Sequence, residues 1–243
     1  MTIPEVVLAA IDFSDASARA VAVAGFVARA CSARLTLLHA ESIEAPVYFT
    51  SEQLDGLERE RRASRAAAEA SVARFGREHT PTSFSVVVHE QTPLEAIVRA
   101  SASADLVIMG THGRLGPARW WLGSVAERAI RDIQKPLLIV RANVPDPVDT
   151  LFARTVVLGA SRSCGSTAKE YARLLATRCG GALFDERGMP VEQAIDRTRA
   201  TIAVVARPHA WKEPHAANDA DRLARSGTMP LLFIPEFPER GLS

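Results

Sequence analysis

The chain has 243 residues, 47% hydrophobic and 23% charged, with 29 Lys and Arg against 28 Asp and Glu. That is a folded, globular composition with room for one large or two small domains, and a net charge of +1 argues against nucleic-acid binding through broad phosphate neutralisation. Three cysteines without a Cys-x-x-Cys pair argue against a zinc site or disulfide framework, and no apolar run approaches the ~18 residues that span a bilayer. With no basic segment ahead of the first apolar stretch, a cytoplasmic protein with no membrane partner is expected.

Residues 6–11 are a continuous, partly β-branched apolar run too short for a helix, the pattern of a buried parallel strand. Asp12-Phe13-Ser14-Asp15 ends it, with Ser14 or Asp15 placed to cap an Ala- and Val-rich helix over 16–30. A second strand is predicted over 35–39, then a loop over 41–50 and one long helix over 51–78. In that helix Arg59, Arg61, Arg62 and Arg65 interleave with Glu58, Glu60 and Glu69 and read as a solvated face. A third strand is predicted over 83–88. Thr92 then caps a short helix, with Pro93 in its first turn and Glu95 three residues on. A strand over 106–109, a helix over 125–133 and a strand over 137–140 complete a βα alternation, which implies a parallel, doubly wound sheet.

Residues 142–150 hold two prolines and no apolar periodicity and read as a linker between domains at 1–143 and 151–243. The pattern then restarts: strands over 155–159, 182–184, 201–206 and 229–234, and helices over 167–179, 191–198 and 219–225. TVVLGAS echoes VVLAAID, 203–207 echoes 106–110, and MPLLFIP echoes KPLLIVR. The repeat is shortened, with no counterpart of the long helix and third strand.

The stretch that carries chemistry leaves the fourth strand as Met109-Gly110-Thr111-His112-Gly113-Arg114 and reaches Gly123-Ser124-Val125 at the next helix. Backbone N–H groups approach phosphate closely only where no Cβ intervenes, so Gly110 and Gly113 are read as a tight turn at the sheet edge. Gly123 and Ser124 open a helix whose N-terminus favours an anion; the Ser124 hydroxyl adds a donor and Arg114 a charge. The glycines alone fit either a phosphate loop or a plain strand-to-helix turn.

Taken with VIMGTHGR before, LGSVAERAIR after, KPLLIVR beyond and the opening VLAAIDFSDASARA, the spacing Gly110-x2-Gly113-x9-Gly123-Ser124 resembles the ATP-binding branch of the universal stress protein family over residues ~5–141. The resemblance implies two tandem doubly wound, five-stranded, Rossmann-like domains of the adenine nucleotide alpha hydrolase kind, the second shortened. It implies ATP or ADP as ligand, with Asp12 at the end of the first strand on the ribose and metal side, where it would hold Mg²⁺, and Ile11 beside it. Ala40 would line the adenine pocket, Met109, Gly110 and Thr111 would close it, and Gly113, Arg114, Gly123, Ser124 and Val125 would bind ribose and phosphates. In that family the last strand pairs across a dimer. The strands at 137–140 and 231–234 are therefore expected to pair as an intramolecular pseudo-dimer, with a homodimer also open.

Two departures stand out. Gln91-Thr92-Pro93 replaces a Gly-x-Pro turn, and Arg207-Pro208-His209-Ala210-Trp211 replaces the glycine loop in the second repeat, which is not expected to bind ATP. His112 reads as loop-shaping and His39 as packed or at the pocket edge. His209 and His215 are spaced wrongly for a helical zinc pair, and Trp120 and Trp121 pack on their own sheet or form an interface. With no Walker-type lysine or evident base, an ATP-responsive binding module is expected, the alternatives being a slow Mg-dependent ATPase or an interaction scaffold.

Overall fold

The computed structural model describes residues 2–41, 51–111, 123–144, 146–158, 165–208 and 229–236. In chain order these give β1 (Val6–Ile11), α1 (Asp15–Cys31), β2 (Arg34–Ala40), α2 (Ser51–His79), β3 (Phe84–His89), α3 (Pro93–Ser101), β4 (Leu106–Thr111), α4 (Ser124–Asp132) and β5 (Leu137–Arg141). Then follow β6 (Arg154–Leu158), α5 (Ser166–Arg178), β7 (Ala182–Asp185), α6 (Val191–Thr198), β8 (Ile202–Pro208) and β9 (Leu231–Glu236). The helix expected over 219–225 lies outside the described residues.

The nine strands among the described residues form one sheet in the order β3-β2-β1-β4-β5-β9-β8-β6-β7. All neighbours are parallel except β5 and β9, which pair antiparallel with Leu137 opposite Phe233 and Ile139 opposite Leu231. The first five strands are a complete doubly wound set, and β7-β6-β8-β9 repeats the order β2-β1-β4-β5 without a third strand. Helices cover both faces. Val7, Ile108, Leu138, Val157, Val204 and Leu232 face α1 and α5, whereas Leu8, Val107, Ile139, Ala203 and Phe233 face α3, α4 and α6.

The central strands β1, β4 and β5 form because they are apolar on both sides, as a sheet covered on both faces requires, whereas the edge strands β3 and β7 are only partly buried. α1 starts where Ser14 Oγ accepts the Ser17 N–H at 3.2 Å, and stops where Ser32 turns left-handed at φ 56° and Ala33 N–H reaches back to the Ala28 carbonyl at 2.8 Å. α3 is held by Glu95, whose carboxylate accepts from both the backbone N–H and the hydroxyl of Thr92. The charged face of α2 behaves as the sequence suggested. Arg62 pairs with Glu58 at 3.2 Å and Arg65 with Glu69 at 3.1 Å, one turn away along the helix.

Matching hydrogen bonds fix the repeat residue by residue. Asp105 N–H bonds the Val6 carbonyl as Thr201 N–H bonds that of Arg154; Val107 N–H bonds Pro136 as Ala203 N–H bonds Pro230. Ile202 therefore matches Leu106, Ala206 matches Gly110, and Arg207 matches Thr111. This corrects by one residue the sequence echo of 203–207 onto 106–110. Side chains alternate between sheet faces, so a one-residue slip would exchange the two cores.

The segment read as a linker is anchored. Val144, Leu151 and Phe152 are buried in the same apolar cluster as α1 and α5, and Phe152 stacks on Phe26 with centroids 6.5 Å apart. Cys31 and Cys179 are buried free thiols. Burial raises the first and pushes the second up to about 12, so both are packing groups at neutral pH. No helix among the described residues is long and apolar enough to cross a membrane.

At the carboxyl end of β7, Asp185 accepts from Arg187 at 2.8 and 2.9 Å and from Lys169 at 2.7 Å. Its bonds to Arg187 hold the carboxyl well below the usual range. A depressed folded-state pKa stabilises the fold above the unfolded value of about 4, and that stability is lost as pH falls below it. Asp185→Asn is expected to cost about 1 kcal/mol at pH 7, a figure reduced for the side chain's exposure, and progressively less below about pH 4. Urea unfolding at pH 7 and pH 3 measures this, and an equal deficit at both would disprove it.

Candidate functional site

The strand order reverses between β1 and β4, because β2 and β3 lie to one side of β1 whereas β4 and β5 lie to the other. Ligands of open α/β sheets bind beyond the carboxyl ends of the strands at such a point. A cavity of about 760 Å³ opens there, within the range of small-molecule sites. β1 contributes Ala10, Ile11 and the following Asp12; β2 contributes Leu38, His39 and Ala40; β4 contributes Met109, Gly110 and Thr111. Pro93 and Ile97 enter from α3, and Gly123, Ser124, Val125 and Ala126 from the start of α4.

One side of the cavity is apolar. Ile11, Leu38, Ala40, Pro93, Ile97, Met109 and Val125 make a slot suited to a flat, weakly polar ring. Polar groups share the cavity. α4 opens at Gly123 with no side chain capping it, and its first backbone hydrogen bond is from Glu127 N–H to the Gly123 carbonyl at 3.0 Å. The N–H groups of Ser124, Val125 and Ala126 thus open on the cavity without intrahelical acceptors, at the positive end of the helix dipole. Thr111 Oγ1 accepts the Gly123 N–H at 3.4 Å and ties the end of β4 to the start of α4.

Asp12 is exposed on the cavity. Its Oδ1 accepts the Ser14 N–H at 3.1 Å and the Ser14 hydroxyl at 2.6 Å, and its own N–H donates to Ser17 Oγ at 2.9 Å. These bonds fix the carboxylate at the mouth. Phe13 follows with φ 61°, a left-handed conformation unusual for a bulky residue, and lays its ring 4.7 Å from His39 and 5.4 Å from Phe75. His39 Nδ1 in turn lies 2.9 Å from the Ile11 carbonyl.

Ile11, Asp12, Ala40, Met109, Gly110, Thr111, Gly123, Ser124 and Val125 thus line one cavity. Gly113 and Arg114 lie outside the described residues, as do His112, Trp120, Trp121, Cys164, Trp211, His209 and His215. The reading of Gly110 is corrected. It continues β4, pairing with Val140, and makes no turn. A Cβ there would lie 2.5 Å from the Ala16 carbonyl carbon and 2.6 Å from the Ser17 nitrogen, so its missing side chain lets α1 sit against β4. Gly123 differs, because a Cβ there would meet nothing within 4 Å among the described residues. Sequence reading missed Ala10, Ser17, Leu38, Pro93, Ile97 and Ala126 as lining residues. Pro93 and Ile97, four apart on a helix, carried a helical-face signal whose direction needs the sheet order.

Comparison with known proteins agrees with this architecture. Residues 5–141, more than half of the chain, match the model of the universal stress protein family. A universal stress protein of Thermus aquaticus is 36% identical over 141 residues, covering 56% of this chain and 97% of that protein. One from Mycobacterium bovis is 31% identical over 135 residues, and the chain spans 45% of its length. Among solved structures, a universal stress protein of Archaeoglobus fulgidus superposes with a TM-score of 0.65 at 15% identity, covering 95% of this chain and 98% of that one. At that identity the likeness speaks to the fold, which runs through both halves. The site and the fold define an α/β protein with a ligand cavity at a sheet switch point, and the chain belongs to the universal stress protein family.

Proposed function

We propose that the cavity binds an adenine nucleotide, ATP or ADP, and that the chain is a nucleotide-responsive regulatory module rather than a dedicated enzyme. The observation that carries this is an apolar lining and the N-terminus of α4, which no described side chain caps, in one cavity. The base fits between Ala40, Ile97 and Met109, and the phosphates meet the N–H groups after Gly123. Gly113 and Arg114, between β4 and α4 in sequence, would complete the phosphate side. Asp12 suits Mg²⁺ as a single exposed carboxylate beside phosphate oxygens, the usual arrangement for this ion. The metal would neutralise phosphate charge there. The antiparallel β5–β9 pairing supports an intramolecular pseudo-dimer, since it covers the edge of the first five strands.

Calorimetric titration of the full chain with Mg·ATP tests the reading. Saturable binding of one nucleotide per chain is expected, because Ala206 and Arg207 replace the residues that shape the first cavity. Asp12→Ala is expected to weaken Mg·ATP about tenfold and metal-free ATP little. No binding by a folded chain, or two equivalent sites, would refute the proposal.

A further inference from the structure

At the register of Thr111, the second half carries Arg207, which is 5% exposed. Its guanidinium crosses the β9–β5 seam and donates through Nη1 to the Ile130 carbonyl and through Nη2 to the Ile133 carbonyl. The Ile130 carbonyl belongs to the last turn of α4, where no intrahelical N–H reaches it, and Ile133 is the residue that ends the helix. Both isoleucines are buried, so water is a poor substitute for these bonds. A cation there also complements the negative end of the helix dipole, and Asp132 lies close enough to favour the charge against its burial. α4 has nine residues, and its other end supplies the N–H groups of the candidate phosphate site.

We infer that Arg207 is a positioning residue: it clamps the carboxyl end of α4, and through that short rigid helix the C-terminal half sets the nucleotide affinity of a cavity to which it contributes no lining residue among those described. This rests on the nucleotide reading above. It also gives the altered second repeat a task, because the position that lost the anion loop holds the helix of the surviving site.

The test uses the full chain with Arg207→Met, Arg207→Lys and, as a control in the opposite core, Leu175→Ala. Hydrogen exchange of the amides of residues 127–133 and Mg·ATP affinity are read together. Arg207→Met is expected to speed that exchange and weaken ATP about tenfold. The lysine variant, which keeps the charge and one bond, should fall between. Leu175→Ala should lower Tm while leaving α4 exchange and affinity at wild-type values. Unchanged exchange and affinity in a folded Arg207→Met or Arg207→Lys protein would overturn the inference, as would an equal loss of affinity in Leu175→Ala. A wild-type chain that binds no ATP would overturn the nucleotide reading and the affinity claim together, while slow α4 exchange that depends on Arg207 would still establish the clamp.

Discussion

Gly110→Val is expected to lower Tm by roughly 10 °C or more, the equivalent of at least about 3 kcal/mol in a chain of this size. The cause is contact with backbone. A Cβ would stand 2.5 Å from the Ala16 carbonyl carbon, 2.6 Å from the Ser17 nitrogen and 2.8 Å from the Ala16 carbonyl oxygen. No rotamer change relieves contact with main-chain atoms, so α1 must lift from β4, and it packs against β1, β4 and β5 through Ala20, Val21, Val23, Ala24 and Val27. The loss is a large part of the 5–15 kcal/mol that holds a domain together. The same movement would displace Ser17 and, through it, Asp12, so ligand binding and stability should fail together. Thermal unfolding followed by circular dichroism measures it, and a valine variant within about 2 °C of the parent would show that the strand and helix are free to separate.

The shared register shows a matching pair of differences in the second half. Ala206 stands where Gly110 does, and α5 begins at Ser166, the counterpart of Ala18, whereas α1 begins at Asp15.

The strands and helices were legible in the sequence because each carries its own periodicity: continuous apolar runs for β1, β4 and β5, and a Ser14 cap followed by small apolar residues for α1. The first repeat's cavity was legible through the glycine spacing, which marks the junction of β4 and α4. What was not legible is what depends on two elements meeting. Gly110 reads as a turn residue until α1 is seen against it. Pro93 reads as the first turn of a capped helix until α3 is seen beside β2, which brings Ile97 to the cavity with it. Arg207 reads as a broken loop until β9 pairs antiparallel with β5 and brings it to the carboxyl end of α4. The segment 142–150 reads as a linker for its two prolines and lack of apolar period, and Val144 with the adjoining Leu151 and Phe152 anchors it, since three apolar side chains suffice and carry no period.

Gly123→Val isolates the ligand's requirement from the fold's. Gly123 has φ −56° and ψ 148°, extended values that valine adopts readily, and its Cβ would meet no atom of the described residues within 4 Å. The variant should therefore melt within about 2 °C of the parent. Its side chain would nevertheless stand on the cavity lining, directly before the N–H groups of Ser124, Val125 and Ala126, which have no intrahelical acceptor. Phosphate oxygens must come within about 3 Å of those groups to be bound, and a branched side chain at their entrance holds them off. Mg·ATP affinity is expected to fall at least about 100-fold, while adenosine, which does not need that contact, should bind nearly as well as to the parent. Loss of ATP alone at unchanged Tm would assign the phosphates to the start of α4. Equal loss of adenosine would place the base there instead and reverse the orientation of the ligand. Unchanged ATP affinity would mean that α4 does not bind the phosphates and that its open N-terminus faces solvent in the complex.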